Sequence, residues 1–472
     1  MDAQTEGILD LARRAMEPTV RTPAPVDVSE VIGHSSFGAF QVGLCMLCFL
    51  CLIMDGFDVQ AMGYVAPAIL QEWHVPSAQF GTVFGAGLFG ILVGSLLFSM
   101  AADKIGRRPV LIAVTLCFSA LTFLTARASD VQQMLAIRFL AGMALGGIMP
   151  NAVALVGEYS PNKLRVTIMM IVGNGFTAGA AGGGFIAAWM IPRFGWRSVF
   201  YFGAGAPLLV GAIMIFALPE SLQFLVLHRK HLEQAGRWLQ RINPTASRDA
   251  SQYFVKETKR KGVPWARLFH EGRGLGTVLL WIINFANLLN LYFLASWLPT
   301  VAKQAGHTMR TAVLVGTMEQ VAGMIGGFTL GWFLHRFGFV RTLTTCFTLS
   351  CINIALIGLP GLTLPLLFAV VFVAGFGVAG GQTAVNALSA TYYPTDLRAT
   401  GIGAGLGVGR IGAIIGPIVG GVLMGLHWPS QKLFLAAAAP ALLSASVMAA
   451  MHWVLKPQLQ STAKSTVLEP VT

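Results

Sequence analysis

Charge is what this chain of 472 residues has least of: Asp, Glu, Lys and Arg together make up 11% of it, where a soluble domain carries about 25%. That scarcity excludes an ordinary water-soluble enzyme or binding domain. Cysteine is sparse too. Cys45, Cys48, Cys51, Cys117, Cys346 and Cys351 all fall in apolar segments, so no disulfide framework is implied. The run Cys45-x-x-Cys48-x-x-Cys51 has a metal-like spacing but no histidine nearby, and small residues three apart are ordinary helix-packing positions. There is no Walker A loop, no nucleophile–base constellation and no metal-ligand cluster. The chain is therefore expected not to be an enzyme and to hold neither cofactor nor metal. No alternating strand pattern suggests a barrel. No cleavable leader is visible: residues 1–36 are polar, with an amphipathic patch at Ile8-Leu9-Leu11, and read as a cytoplasmic tail.

What the chain has in abundance is apolar sequence, 55% of all residues. It recurs in blocks near the ~20 residues that cross ~30 Å of hydrocarbon. Twelve spans are predicted, at 37–61, 78–101, 109–126, 132–157, 166–190, 197–218, 274–300, 311–334, 341–359, 363–389, 399–426 and 431–455. The chain then divides into a tail (1–36), a six-helix bundle (37–218), a basic cytoplasmic central loop (219–273), a second six-helix bundle (274–455) and a C-terminal tail (456–472). The fold class is an all-α polytopic membrane protein.

The net charge of +12 invites a nucleic-acid reading, which its distribution removes. With the N-terminus inside, 24 of the 32 Lys and Arg fall on the inner side, 6 on the outer, and Arg138 and Arg410 lie within spans. This is positive-inside sorting, with both termini cytoplasmic and the lipid bilayer as the partner surface. The halves also repeat. Asp103–Arg108 stands against His335–Arg341, and Glu158–Arg165 against Thr391–Arg398, each about 232–233 residues apart. Parallel six-span repeats around a midplane site are a secondary-transporter architecture.

Within the first span lies Asp55-Gly56-Phe57-Asp58. Carboxylates three apart share one helix face, and each costs roughly 2.5–3.5 kcal/mol at mid-bilayer on insertion scales. A chain that keeps two there uses them, or else both sit wet at a helix end. Asp58 is expected nearer the outer mouth.

Several motifs add a resemblance. Asp103-Lys104-Ile105-Gly106-Arg107-Arg108, Arg138-Phe-Leu-Ala-Gly142 and Leu218-Pro219-Glu220-Ser221 resemble the signatures of the major facilitator superfamily. Within it, the 55–58 motif, GGIMPNAVALVGEYSP, SWLPT at 296–300 and YPTDLRATG followed by GVGR up to Arg410 resemble the aromatic acid:proton symporters. The resemblance covers all twelve spans. Ser99, Lys104 and His335 depart from the usual loop pattern. It implies the major facilitator fold in two pseudo-symmetric halves. The expected activity is import, by a monomer of the cell inner membrane, of a small aromatic carboxylate with protons. A hydroxybenzoate, protocatechuate, gallate or phenylpropionate would fit. The rival readings are symport of non-aromatic organic or sugar acids, and a membrane receptor for aromatic acids.

Roles can then be assigned. Asp55 and Asp58 are the proton-coupling candidates, with Arg138, whose superfamily role is proton transfer or charge relay. Arg410, among glycines, must face a cavity or a partner. Its planar fork suits a carboxylate, either the substrate's or that of a membrane acid. Glu319 is a third intramembrane acid, a second proton site or a partner for Arg410. Asn284, Asn287 and Asn290, with Tyr292 and Trp297 nearby, suit ring hydroxyls or helix–helix hydrogen bonds. Arg398 belongs to a gate or anchor, with a binding role open. Asp103, Arg107, Arg108, Glu158 and Arg165 cluster at the inner ends of spans 2–5, as an inward gate or as membrane anchors. The glycine run at 401–409 has dinucleotide-like spacing, but no strand precedes it, so it reads as helix packing.

Overall fold

Apolar runs in hydrocarbon must satisfy their backbone internally, and the chain does so as helices. The computed structural model describes residues 26–229, 232–243, 253–254, 265–394 and 397–467. Among them are twelve helices long and apolar enough to cross a membrane: α1 Ala39–Trp73, α2 Ser77–Ile105, α3 Arg107–Arg127, α4 Val131–Tyr159, α5 Arg165–Phe194, α6 Arg197–Ala217, α7 Gly274–Gln304, α8 Met309–Phe337, α9 Phe339–Ile357, α10 Leu364–Tyr392, α11 Arg398–Gly425 and α12 Ser430–Val454.

The largest departures from the predicted spans are two helix ends: the helix that contains α12 continues to Val467, twelve residues past 455 and into the predicted tail, and α1 runs twelve residues past 61 and carries Pro67 within it. Neighbouring helices make such a proline tolerable in a membrane helix, and Tyr64, Val65, Ala66 and Ile69 beside it are buried. His74, in the left-handed conformation at φ 52°, ends the helix. Other irregularities also have local causes. α4 breaks at Gly147, just before Pro150, whose missing N–H cannot bond back. α10 contains a π-helical turn at Phe376–Gly380 in a glycine-rich stretch, a device often found at functional sites.

Glycines set the packing. A side chain at Gly56 of α1 would collide with the Phe176 carbonyl of α5, and one at Gly179 of α5 with the Ile53 carbonyl. In the second half Gly412 and Gly416 of α11 lie in the same way on Phe285 and Leu289 of α7. Likewise Gly90 of α2 meets Phe139 of α4, and Gly326 of α8 meets Phe376 of α10. The two halves thus repeat their pairings, as the duplicated loops imply. Gly56→Ala is expected to lower the thermal midpoint of the purified protein by several degrees, because the obstructing atoms are backbone and overpacking costs about 1–3 kcal/mol. Gly182→Ala, with nothing within 4 Å of the added carbon, should leave it unchanged or higher. Equal midpoints would refute the close-packing account.

Between the halves, Gly63 of α1 abuts Ala295 of α7, Gly81 of α2 abuts Pro417 of α11, and Gly184 of α5 abuts Thr317 of α8. Gln60 Nε2 also donates to the Ala295 carbonyl at 3.1 Å. All of these lie toward the end of the bundle remote from the chain termini.

At the other end a small cap covers the first half. Val26–Asp27 pairs in parallel with Tyr253–Phe254. The short helix Val28–Gly33, opened by Asp27 accepting from the Ser29 N–H at 2.9 Å, packs with helices Leu222–Leu227 and Leu232–Ile242. Phe40 stacks on Trp238 at 5.2 Å. Part of the predicted tail and loop is therefore docked structure. The patch at Ile8-Leu9-Leu11 lies outside the described residues.

Candidate functional site

Asp58 is the most enclosed of the intramembrane charges that find a partner. It sits in mid-helix with 0% exposure, which corrects the expectation of a place near the outer mouth: α1 continues to Trp73, so about 22 Å of helix follows Asp58. Arg138 of α4 grips it with two bonds, Nη1 to Oδ1 at 3.1 Å and Nη2 to Oδ2 at 2.6 Å. Thr122 Oγ1 of α3 donates to Oδ1 at 3.3 Å, and the Phe200 ring of α6 lies 5.9 Å from the guanidinium. Four helices of the first half thus converge on one planar ion pair.

Asp55, one turn earlier on α1, is also buried, within electrostatic range of Asp58. It lies within electrostatic range of Arg410 on α11. Arg410 is half-buried and held where Gly409 and Gly412 bring α11 onto the α7 backbone. The N-terminal half therefore carries two buried acids, one neutralised by its own Arg138 and the other near an arginine of the C-terminal half. A narrow cleft adjoins the Asp58–Arg138 pair; Arg138, Gln60, Phe84 and Tyr292 are among its lining residues.

The asparagine stripe divides. Three-residue spacing drifts about 60° per step around a helix. Asn284 and Asn287 turn toward α10, and Asn290, its amide oriented to satisfy both atoms, bonds Ala437 and Ala441 of α12. Asn290 is thus a packing residue. Asn287 Nδ2 donates to the Val378 carbonyl in the π turn at 3.0 Å and to Gln382 Oε1 at 2.9 Å. Gln382 Nε2 donates to Asn284 Oδ1 at 3.0 Å and Asn386 Oδ1 at 3.2 Å. Gln382 and Asn386, half-buried on α10, were missed by sequence reasoning. Their signal was only that of amides in an apolar span.

Glu319 is fully buried on α8, and neither carboxyl oxygen has a hydrogen-bond partner. It is therefore not the partner of Arg410. Trp297 donates to the Pro417 carbonyl at 2.9 Å, tying α7 to α11.

The inner cluster is joined within one half. Arg107 of α3 pairs with Glu158 of α4 at 2.6 Å, and Ser221 donates to the second Glu158 oxygen. Glu220 Oε1 accepts the N–H groups of Arg107 at 2.9 Å, Arg108 at 3.2 Å and Ser221 at 2.8 Å. It caps the open donors at the start of α3. Gly106, at φ 106°, leaves room for that carboxylate. Arg108 Nη2 donates to the Ile215 carbonyl at 2.6 Å. Asp103 is exposed, within electrostatic range of Glu158. Arg165 and Arg398 open the equivalent helices α5 and α11, the first half-buried and the second exposed. The pairs formed here hold α3, α4 and the loop after α6 together, all within the first half.

The sequence profile of the Major Facilitator Superfamily matches residues 48–272 and 280–469. The 4-hydroxybenzoate transporter PcaK of Pseudomonas putida is 36% identical over 421 residues, covering 89% of this chain and 94% of that protein. The gallate transporter of the same species is 35% identical over 422 residues, covering 89% and 94%. Among solved structures, the inward open conformation of the xylose transporter XylE from E. coli aligns with a TM-score of 0.68 at 15% identity, covering 86% of this chain and 95% of that one. It shares the fold.

Proposed function

The chain belongs to the Major Facilitator Superfamily, and on that premise we propose that it imports a small aromatic carboxylate together with a proton by alternating access. Relatives named for 4-hydroxybenzoate and gallate transport support an aromatic acid as cargo. The observation that supports the coupling is two intramembrane acids each beside an arginine: Asp58 held by Arg138 within the first half, and Asp55 within electrostatic range of Arg410 of the second.

These four groups balance when all are ionised. An arriving carboxylate adds one negative charge in a poorly solvated cavity, and one proton restores the balance. Arg410 takes the carboxylate in its planar fork, and Asp55, which would repel the anion, accepts the proton. Arg138 relays the change to Asp58 by releasing or regaining its grip. Phe84 and Tyr292 supply aromatic walls to the cavity, and the Asn284–Asn287–Gln382 amides supply donors and acceptors for ring hydroxyls.

The excess of Lys and Arg on the side of the termini supports cytoplasmic termini in an inner membrane. In that orientation the halves meet at the outer side, through α1–α7, α2–α11 and α5–α8, which fits an outward-closed state. Rocking would separate those contacts and bring the inner ends of α4 and α5 against α10 and α11. The Arg107–Glu158–Glu220 cluster would keep the inner end of the first half rigid meanwhile.

The test is a split between driven and exchange transport in proteoliposomes. Asp55→Asn is expected to reduce pH-gradient-driven uptake of labelled 4-hydroxybenzoate at least about tenfold, the low end of what one positioned proton-transfer group supplies, while counterflow exchange continues. Driven uptake at the wild-type level would sink the coupling role.

A further inference from the structure

One buried acid has no part in this scheme. Glu319 has 0% exposure, and both its carboxyl oxygens are enclosed without a hydrogen-bond partner. It does not line the cavity beside Arg138. Its surroundings are those of the outer junction. Gly316, one turn earlier on α8 and so on the same face, abuts Pro299 of α7 and the Tyr64 ring of α1. Thr317 abuts Gly184 of α5. Gly375 of α10 lies directly on the Glu319 backbone. Tyr64 is the titratable side chain that the structure brings within electrostatic range of it, and the Tyr64 hydroxyl is already committed to the Ala180 carbonyl at 2.9 Å. No cation is paired with Glu319 among the described residues; the Gln320 side-chain amide is a polar neighbour that does not reach hydrogen-bonding geometry with either oxygen.

A carboxylate so enclosed would be an unpaired charge without water, whereas the neutral acid can be enclosed at far smaller cost. The same helices that seal Glu319 are those whose contacts close the outer side. We propose that Glu319 is a second proton-binding site of the transport cycle, filled from the outer aqueous phase as α1, α5 and α8 come together. The proton passes from outer water to the carboxylate before closure and returns to outer water on reopening; the closed junction encloses both oxygens. The site is thereby separate from Asp55, whose proton travels with the cargo. The inference rests on the alternating-access reading, but its test uses no cargo.

Spin labels at Gln71→Cys on α1 and Gln304→Cys on α7, both exposed at the outer ends of opposite halves, would report closure in the full chain with its six cysteines replaced by alanine. Linkage to one proton permits up to about a tenfold change in population per pH unit. In the parent the closed population should fall at least about fivefold between pH 6 and pH 8. Glu319→Gln should remain closed at both, and Glu319→Asp should keep the pH response. Infrared spectra should show a protonated-carboxyl band that shifts in Glu319→Asp and vanishes in Glu319→Gln. This second readout decides the matter from Glu319→Asp alone if the glutamine variant does not fold. A Glu319→Gln protein that opens with pH as the parent does, or a carboxyl band indifferent to both substitutions, would overturn the proposal. If labelled 4-hydroxybenzoate is not transported while the distances still respond to pH through Glu319, only the identity of the cargo is wrong.

Discussion

Arg138→Leu should cost about 3–5 kcal/mol of stability and lower uptake at least a hundredfold. The substitution strands Asp58, which has no exposed surface and keeps only the 3.3 Å bond from Thr122. Removing one partner of a buried ion pair is expensive because the other remains charged and dry. The double variant Asp58→Asn with Arg138→Gln removes both charges, and should recover most of the thermal stability but none of the driven uptake. Thermal unfolding and proteoliposome uptake measured on the same preparations separate the two effects. Wild-type uptake by Arg138→Leu would show that the pair is scaffolding only. Recovery of transport in the double variant would show that its charges are dispensable.

The second large effect is expected at Arg410. A hydrogen bond to a charged group contributes about 1.5–3 kcal/mol, so Arg410→Gln should weaken binding of 4-hydroxybenzoate about 10- to 150-fold, read by calorimetry or by ligand-induced thermal stabilisation. Arg410→Lys keeps the charge but loses the planar fork, and should fall between. An unchanged Kd in Arg410→Gln would mean that the carboxylate is held elsewhere and that Arg410 serves Asp55 alone.

The twelve spans and the duplication were readable because apolar length and repeated polar loops are local properties of a chain. The end of α1 was not, since Tyr64 to Pro67 look like a boundary until α5, α7 and α8 are seen packed around them. That one misreading displaced Asp58. Both members of the Asp58–Arg138 pair stood out as charges in apolar spans, but their partnership depends on α1 and α4 facing each other, which no spacing encodes. Glu220 lay in a recognisable motif, yet its bonds to the start of α3 are purely tertiary. Gln382 gave least sign of itself, being neutral, and gains its meaning from the amides that α7 turns toward it.

The cap on the first half bears on how the two bundles are linked. Because Tyr253–Phe254 is zipped to Val26–Asp27, and Leu222–Leu227 and Leu232–Ile242 are buried beneath the same bundle, the described parts of the connection up to Phe254 travel with the first repeat. The part of the connection that follows Phe254 is the shorter one, 19 of the 55 residues of 219–273. The linker therefore works as a part of one lever, and a chain divided for co-expression as two pieces should be cut after that strand rather than after α6.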